Sequence, residues 1–193
     1  MKGWKEDIFN NFLKLNRGFD LPNHLIIDGI YPVVASTSIK AFHRHYKIQP
    51  PCVVTGRSGS LGKVLYINRK SWPLNTTLYV KDFKGNNHRY VYYFLQTMHL
   101  ENYNTGAGVP TLNRNHLNQI QIKSPPKQLQ HKFHKIIDSI LSLKDKKEQH
   151  TQTLKQTRDR LLTRLISGKL SVADLDIRFP RSMREESDAE LHP

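Results

Sequence analysis

Apolar and polar positions divide the chain into a strand-rich segment, one long helical segment and a tail. From Lys127 to Ser167 the sequence contains no proline or glycine. Its apolar residues recur at spacings of three and four, which is typical of an amphipathic helix. At about 1.5 Å per residue, such a helix would be roughly 60 Å long. We therefore predict a compact domain over residues 1–124, a long helix over 125–170 and a tail over 171–193.

The first 124 residues alternate short β-type runs with turn residues, a pattern that predicts a strand-rich domain. The spacing of apolar residues from Trp4 to Leu13 predicts an opening helix, and a second helix is expected at Tyr90–Leu100. The predicted strands are Tyr31–Ala35, Cys52–Thr55, Lys63–Ile67, Thr76–Val80 and Ile120–Ile122. The predicted fold class is α+β, a globular strand-rich domain followed by a long α-helix.

The long helix is apolar at both ends and polar in its middle. Between Lys144 and Arg160 the only large aliphatic residue is Leu154. A polar helix of this length needs a paired helix, a solvated bridging role, or both. We expect it to pair as an antiparallel coiled coil, with each apolar end meeting a domain. Gly168 is the predicted C-cap, and the tail beyond Phe179-Pro180 is expected to be disordered.

The charge of the chain favours a polyanionic partner. Lys and Arg total 30 against 16 Asp and Glu, a formal charge of +14, with +10 in residues 1–124 and +7 in residues 125–169. A basic surface attracts polyanions, although a protein can also be basic for unrelated reasons. No apolar run approaches the ~20 residues that span a bilayer, so no membrane association is expected. The single cysteine, Cys52, fits a buried strand and a reducing cytoplasm.

No motif in the sequence indicates catalysis. Gly56–Gly62 is glycine-rich, but it lacks the GxxxxGK[ST] pattern of a phosphate-binding loop and precedes a predicted strand. Ser124–Lys127 superficially resembles the motif of amino-methyltransferases, yet Lys127 replaces the aromatic residue that stacks on the base. The histidines are unclustered, and the six acidic residues of the domain are scattered. We therefore expect no enzyme activity, no bound metal and no cofactor in this chain.

Several stretches, in this order, resemble the specificity (S) subunit of type I restriction-modification enzymes. The resemblance covers roughly residues 14–170. The stretches are Arg17–Pro22, Tyr31–Val33 with Ala35–Thr37, Val54–Val64, Trp72–Val80 and Gly108–Arg114, followed by Pro125-Pro126 and a long helix. Several motifs in the family order are far more specific than any one alone.

The resemblance implies that the domain recognises half of a bipartite target in double-stranded DNA and that the helix acts as a spacer. It also implies a methyltransferase (modification) subunit that carries S-adenosylmethionine, and a restriction/translocase subunit that uses ATP, with Mg also expected on the partner subunits. A complete S subunit usually has two recognition domains and two helices, and this sequence has one of each. We therefore expect a half-subunit, natural or truncated, that forms a homodimer through the long helix or pairs with a second half-subunit. A smaller departure is Lys127–Gln130, where the family often has Leu-Pro-Glu-Gln.

Base contacts cannot be carried over from the resemblance, because each family member reads a different sequence. By chemistry, the candidate DNA-binding residues are basic and lie next to predicted loops: Arg17, Lys40, Arg44, Arg57, Lys63 and Arg114. Arginine pairs well with guanine edges, whereas lysine more often holds phosphates. Two other classes of function stay open at this point. One is a basic coiled-coil adaptor that binds proteins, and the other is a stand-alone nuclease or methyltransferase.

Overall fold

The strands of the domain form three separate sheets in the computed structural model, which describes residues 3–171. The strands are β1 (Lys5–Ile8), β2 (Lys14–Arg17), β3 (Tyr31–Val34), β4 (Ile39–His43), β5 (Cys52–Gly56), β6 (Val64–Ile67), β7 (Trp72–Pro73), β8 (Thr77–Asp82) and β9 (Gln121–Ser124). The helices are α1 (Phe9–Phe12), α2 (His88–Thr97), α3 (Arg114–Leu117) and α4 (Lys127–Ile166), with 3₁₀ turns at Asn23–Leu25 and Leu100–Tyr103. The predicted α+β class is confirmed.

A four-stranded antiparallel sheet, in the order β2-β8-β5-β6, forms the centre of the domain. Its strand β5 is buried at every position, as expected for a run of β-branched residues. Cys52 has no exposed surface, and burial raises the pKa of its thiol to about 11. The prediction that Cys52 is a small core residue is therefore confirmed.

Helix α2 covers the central sheet and contributes to the main core. Asn87 caps its N-terminus, since the Asn87 side-chain oxygen accepts the backbone N–H groups of Arg89 and Tyr90 at 3.0 and 3.1 Å. Val91 and Leu95 are buried on its inner face. The core they join includes Phe9, Phe12, Leu13, Leu15, Val53, Leu78, Val80, Leu112 and Leu117. Residues far apart in sequence thus share one apolar cluster.

The opening of the chain differs from the prediction. The expected helix from Trp4 to Leu13 is wrong, because the segment forms β1, the single turn α1 and then β2. Strand β1 pairs antiparallel with β9, with Lys5 opposite Ser124. Phe9 and Phe12 have the spacing of a helix and are buried, but the flanking residues gain more from pairing with strands than from extending one turn.

Two further strands, outside the opening segment, were not predicted from the sequence. Strands β4 and β7 flank β3 in the order β4-β3-β7, and β7 runs parallel to β3. Strand β7 has only two residues, including Pro73, so it is too short to show the apolar–polar alternation that identifies a strand in the sequence. Its place in the sheet is decided by pairing with Val33 and Val34.

The long helix after Pro125-Pro126 is confirmed as α4, and so is its C-cap. Gly168 has φ +69°, and its backbone N–H donates to the Leu165 carbonyl at 3.0 Å. The N–H of Leu170 donates to Arg164 at 3.1 Å. The tail predicted to be disordered beyond Pro180 lies outside the described residues.

Within residues 3–171 the chain divides into two compact units, with the boundary between Ile140 and Leu141. The first unit includes the first turns of α4, because they pack on α2. The Phe133 ring lies edge-on to Tyr90 and Tyr93, at 5.6 Å between ring centroids in each case. Phe133 and Ile137 are half-buried, whereas Leu129 and Ile136 are exposed. Only part of the predicted apolar stripe therefore docks on the domain.

A polar cluster also joins α2 and β6 to the start of α4. The Tyr66 hydroxyl and His88 Nδ1 share a hydrogen bond of 2.8 Å, and the His88 and His134 rings are 5.5 Å apart. Asp138 lies 3.3 Å from both Arg89 and His134. Burial lowers the pKa of His88, the neighbouring His134 and Arg89 lower it further, and Asp138 opposes them. The folded protein therefore favours neutral His88.

We expect the stability of the first unit to fall as the pH drops below His88's ordinary pKa of about 6.5. Below that value the unfolded chain binds a proton at His88 that the folded chain takes up only at lower pH, so acid favours unfolding. Thermal melting of the wild type and His88→Gln between pH 7.5 and 5.5 would measure this contribution. On acidification, the Tm of His88→Gln should fall by less than the Tm of the wild type. The matched control is His116→Gln, at an exposed position; equal pH dependence in all three proteins would contradict the expectation.

Candidate nucleic-acid interface

One edge of the central sheet brings together segments that are distant in sequence. Strand β2 ends at Arg17, which lies opposite Leu78, and β5 ends at Gly56, which lies opposite Thr77 at the start of β8. Because β8 is antiparallel to both neighbours, the ends of β2 and β5 meet at the same edge. The residues that follow β5 and precede β8 therefore surround Arg17.

The glycine-rich loop after β5 is held against a second loop. The Gly59 N–H donates to the Pro110 carbonyl at 2.9 Å, and the Leu112 N–H donates to the Arg57 carbonyl at 2.8 Å. A Cβ atom at Gly56 would overlap the carbonyl oxygen of Ser60, and Gly59 has φ +86°. Glycine is thus required for this tight path. The two loops form a fixed support for the Arg57 side chain.

Three arginines line a cavity of about 310 Å³ at this edge. The lining residues are Arg17, Arg57, Leu78, Thr105, Thr111, Leu112, Asn113, Arg114 and Asn115, with no carboxylate among them. Arg57 Nε donates to the Asn75 carbonyl at 3.0 Å, and Arg114 Nη1 donates to Asn16 Oδ1 at 3.0 Å. Within residues 3–171 none of the three guanidinium groups forms an ion pair with a carboxylate.

Such a cavity suits a partner with hydrogen-bond acceptors and negative charge. A guanidinium anchored through Nε keeps its two terminal nitrogens as a fork, the geometry that pairs with guanine O6 and N7 or with a phosphate. Anchoring by carbonyl and amide oxygens fixes the side chains without neutralising them. The positive charge at the edge of the sheet therefore stays available to a ligand.

The structure brings three of the six predicted DNA-binding residues together and leaves three apart. Lys40 lines a neighbouring cavity of about 310 Å³ with Asp20, Asn75 and Thr76, and its Nζ donates to Asn23 Oδ1 at 2.7 Å. Arg44 is exposed directly after β4, and Lys63 is exposed directly before β6. All six remain predictions as DNA contacts.

Sequence reasoning did not single out the polar residues that share the arginine cavity. Thr105, Thr111, Asn113 and Asn115 all line it. Asn104 shapes this loop, because its Oδ1 accepts the N–H groups of Gly106 and Thr111 at 2.9 and 2.8 Å. The only available signal was the run of Asn and Thr around Arg114, since such side chains fold loops and also bind bases and phosphates.

Residues 3–171 contain neither a cluster of metal-ligating side chains nor a helix suited to crossing a membrane. These residues hold no group of three or more His, Cys, Asp or Glu side chains placed to bind a metal ion. None of the helices found there combines the length and apolar character needed to cross a bilayer.

The fold and this cavity define a class of protein: a strand-rich, basic domain with an arginine-lined cavity, followed by one long helix. A family model described as the type I restriction modification DNA specificity domain matches residues 1–156. The chain belongs to this family. The match includes the domain, the arginine cavity and more than half of α4.

Three solved structures have the same fold at low sequence identity. The type I restriction-modification S subunit of M. genitalium superposes with a TM-score of 0.68 at 18% identity, covering 86% of this chain and 46% of that one. A chain from a study of assembly and conformational transition of the type I R-M system superposes with a TM-score of 0.57 at 13% identity. The match covers 85% of this chain and 46% of that one. The HsdS subunit of Thermoanaerobacter tengcongensis superposes with a TM-score of 0.55 at 13% identity. The match covers 74% of this chain and 38% of that one.

The chain thus spans less than half the length of each of these proteins. The likeness confirms the predicted architecture of a strand-rich domain followed by a long helix. Comparison with curated protein sequences gives no match.

Proposed function

We propose that this chain is a DNA sequence-specificity subunit of a type I restriction-modification system and that it recognises half of a bipartite target. The observation that carries the proposal is the cavity in which Arg17, Arg57 and Arg114 meet without a carboxylate. Family membership gives the DNA-specificity class, and the cavity supplies a place where a base edge or phosphate fits. In this function the chain binds and positions DNA in the cytoplasm and has no catalytic step of its own.

The chemistry belongs to partner subunits in this proposal. A methyltransferase (modification) subunit docks on the chain and carries S-adenosylmethionine, and a restriction/translocase subunit uses ATP and Mg. The scattered acidic residues of the domain agree with a non-catalytic role, because acid–base or metal-dependent catalysis needs clustered groups.

We propose that a second copy of this chain reads the second half of the target. An apolar stripe on α4 supports this pairing. Its exposed members are Leu129, Ile136, Ile140, Leu143, Leu154 and Leu161, at spacings of three, four or their sums. Phe133 and Ile137, at one side of this stripe, are half-buried instead, so the exposed members remain available for pairing. A stripe with this period buries its surface best against another helix, and antiparallel pairing gives a two-fold symmetric dimer.

We expect the full chain, of 22.5 kDa, to sediment as a dimer at micromolar concentration. Leu154→Lys should shift the population toward monomer, because it places a charge in the centre of the stripe, where Leu154 is 58% exposed. Gln152→Lys, at an exposed neighbouring position, is the matched control and should stay dimeric. A wild-type monomer at this concentration would refute the pairing.

Selection from a random duplex library tests the function directly. The chain is co-expressed with a candidate methyltransferase (modification) subunit, and the purified complex is used to enrich bound DNA. We expect a split target with two-fold symmetric halves. Stable assembly with the methyltransferase but no enriched sequence would favour the alternative, a basic coiled-coil adaptor without sequence-specific DNA binding.

A further inference from the structure

A long stretch of the sequence contains no acidic residue at all. Between Asp28 and Asp82 there is no Asp or Glu, while eight Lys or Arg occur. This stretch includes every strand from β3 to the start of β8. All of these cations except Lys81 therefore lie at least twelve residues from the nearest Asp or Glu in the sequence.

Aromatic rings take the place of carboxylates as neighbours of three of these cations. The Arg69 guanidinium lies 5.3 Å from the centre of the Phe42 ring, and Lys70 Nζ lies 4.5 Å from that of Tyr46. Lys47 Nζ is likewise 4.9 Å from the Trp72 ring. A ring attracts a cation through its quadrupole but does not cancel its charge. These side chains are thus positioned and remain positively charged toward solvent.

The exposed side of β4 connects these cations to the arginine cavity. Lys40, Phe42 and Arg44 are exposed, whereas His43 between them is buried. Lys40 lines a cavity with Asn75, whose carbonyl anchors Arg57. The carboxylate in that cavity, Asp20, accepts a hydrogen bond from the Asn75 amide.

We propose that Lys40, Arg44, Arg69 and Lys70, supported by Phe42 and Tyr46, form a β4 ridge that binds backbone phosphates of duplex DNA outside the bases contacted at the arginine cavity. Along the strand, the Cα atoms of Lys40 and Arg44 are separated by roughly 13 Å. That distance spans about four base-pair steps of 3.4 Å. Among residues 3–171 none of the four cations forms an ion pair. The ridge can therefore release counterions when it meets phosphates.

Double-stranded DNA is favoured over a single strand as the occupant. Single-strand binding relies on free aromatic faces on which bases stack. Here a cation lies over one face of Phe42 and of Tyr46, and Tyr46 also contacts Tyr31 at 5.0 Å between ring centroids. The rings thus position charges rather than offer a stacking platform.

The ridge rests on the proposed DNA-binding function, and the salt dependence of binding separates the two. The full chain is titrated with a mixed-sequence 30-bp duplex between 0.05 and 0.3 M KCl, and log K is plotted against log[KCl]. Arg44→Gln/Arg69→Gln should reduce the steepness of the slope by about 1.8 and weaken binding roughly 10- to 100-fold at 0.1 M KCl. Lys132→Gln/Lys135→Gln, which removes the same charge from exposed positions of α4, should retain the wild-type slope.

The possible results have different meanings. A wild-type slope in Arg44→Gln/Arg69→Gln overturns the ridge while leaving the arginine cavity intact as a DNA site. An equal reduction of the slope in Lys132→Gln/Lys135→Gln also overturns the ridge, because the slope would then depend on net charge alone. Better competition by a 30-nucleotide single strand than by the duplex overturns the choice of occupant. If the wild-type chain shows no salt-dependent binding, the proposed function itself fails.

Discussion

Replacing Arg57 by alanine is expected to weaken binding of the assembled complex to its selected DNA target by about 1–3 kcal/mol, or roughly 5- to 150-fold. Arg57 is half-buried, its Nε is anchored on the Asn75 carbonyl, and its loop is hydrogen-bonded to the 110–112 segment. The side chain has therefore lost most of its freedom before DNA arrives, so its contacts cost little ordering on binding. Fluorescence anisotropy with a labelled target duplex measures the change.

Two further variants show what Arg57 contacts. Arg57→Lys keeps the charge but removes the planar fork, so discrimination against a changed base should be lost while phosphate attraction is retained. Lys81→Ala is the control, because Lys81 is exposed near the far end of β8 and lines none of the cavities described above. Unchanged affinity in Arg57→Ala would remove Arg57 from the DNA contacts. Loss of affinity without loss of discrimination would assign it to a phosphate.

The local residue pattern was sufficient to predict those strands whose own residues favour an extended conformation. Strand β5 is a run of β-branched residues between turns, and both β5 and β6 were predicted to within one residue at either end. The opening segment shows the limit. Its apolar spacing fits a helix, but the conformation of its first residues depends on pairing with β9, more than a hundred residues away. No local pattern records that pairing, so the prediction failed there.

Single residues of the candidate site could be predicted from the sequence, but their proximity to one another could not. Arg17, Arg57 and Arg114 were chosen because each is basic and next to a predicted loop. Their meeting in one cavity depends on the strand order β2-β8-β5-β6 and on the bridge between Ser58 and Thr111. Strand order is a tertiary property, decided by which sheet best buries the shared core. Hence Lys63, equally plausible from the sequence, does not line that cavity.

The Gln130 side chain is expected to contribute more to stability than any other polar group at the start of α4. It is 1% exposed. Its Oε1 accepts the Asn87 N–H at 2.9 Å, and its Nε2 donates to Asn86 Oδ1 at 2.9 Å and to the Pro125 carbonyl at 3.2 Å. Sequence reasoning noted this position only as part of a departure from the family pattern. The structure shows that it joins α4 to the turn before α2.

Gln130→Ala should lower the free energy of unfolding by about 2–6 kcal/mol, because it leaves the Asn87 N–H and the Pro125 carbonyl without this partner at roughly 1–3 kcal/mol each. Asn86 Oδ1 is less affected, since Lys127 Nζ also donates to it at 2.7 Å. Urea unfolding at a fixed protomer concentration, followed by tryptophan fluorescence and circular dichroism, measures the loss.

Gln128→Ala separates this network from a general effect of glutamine in the first turn. Gln128 is exposed on the same helix, so its replacement should change stability by less than about 0.5 kcal/mol. Gln130→Glu keeps an acceptor for the Asn87 N–H but replaces the amide donor by a buried negative charge beside the Pro125 carbonyl and Asn86 Oδ1. It should therefore destabilise at least as much as alanine near neutral pH and recover as the pH falls and the carboxyl takes up a proton. Equal stability of the Gln128 and Gln130 alanine variants would show that α4 is held by its apolar contacts, chiefly Phe133 on Tyr90 and Tyr93, and not by the amide.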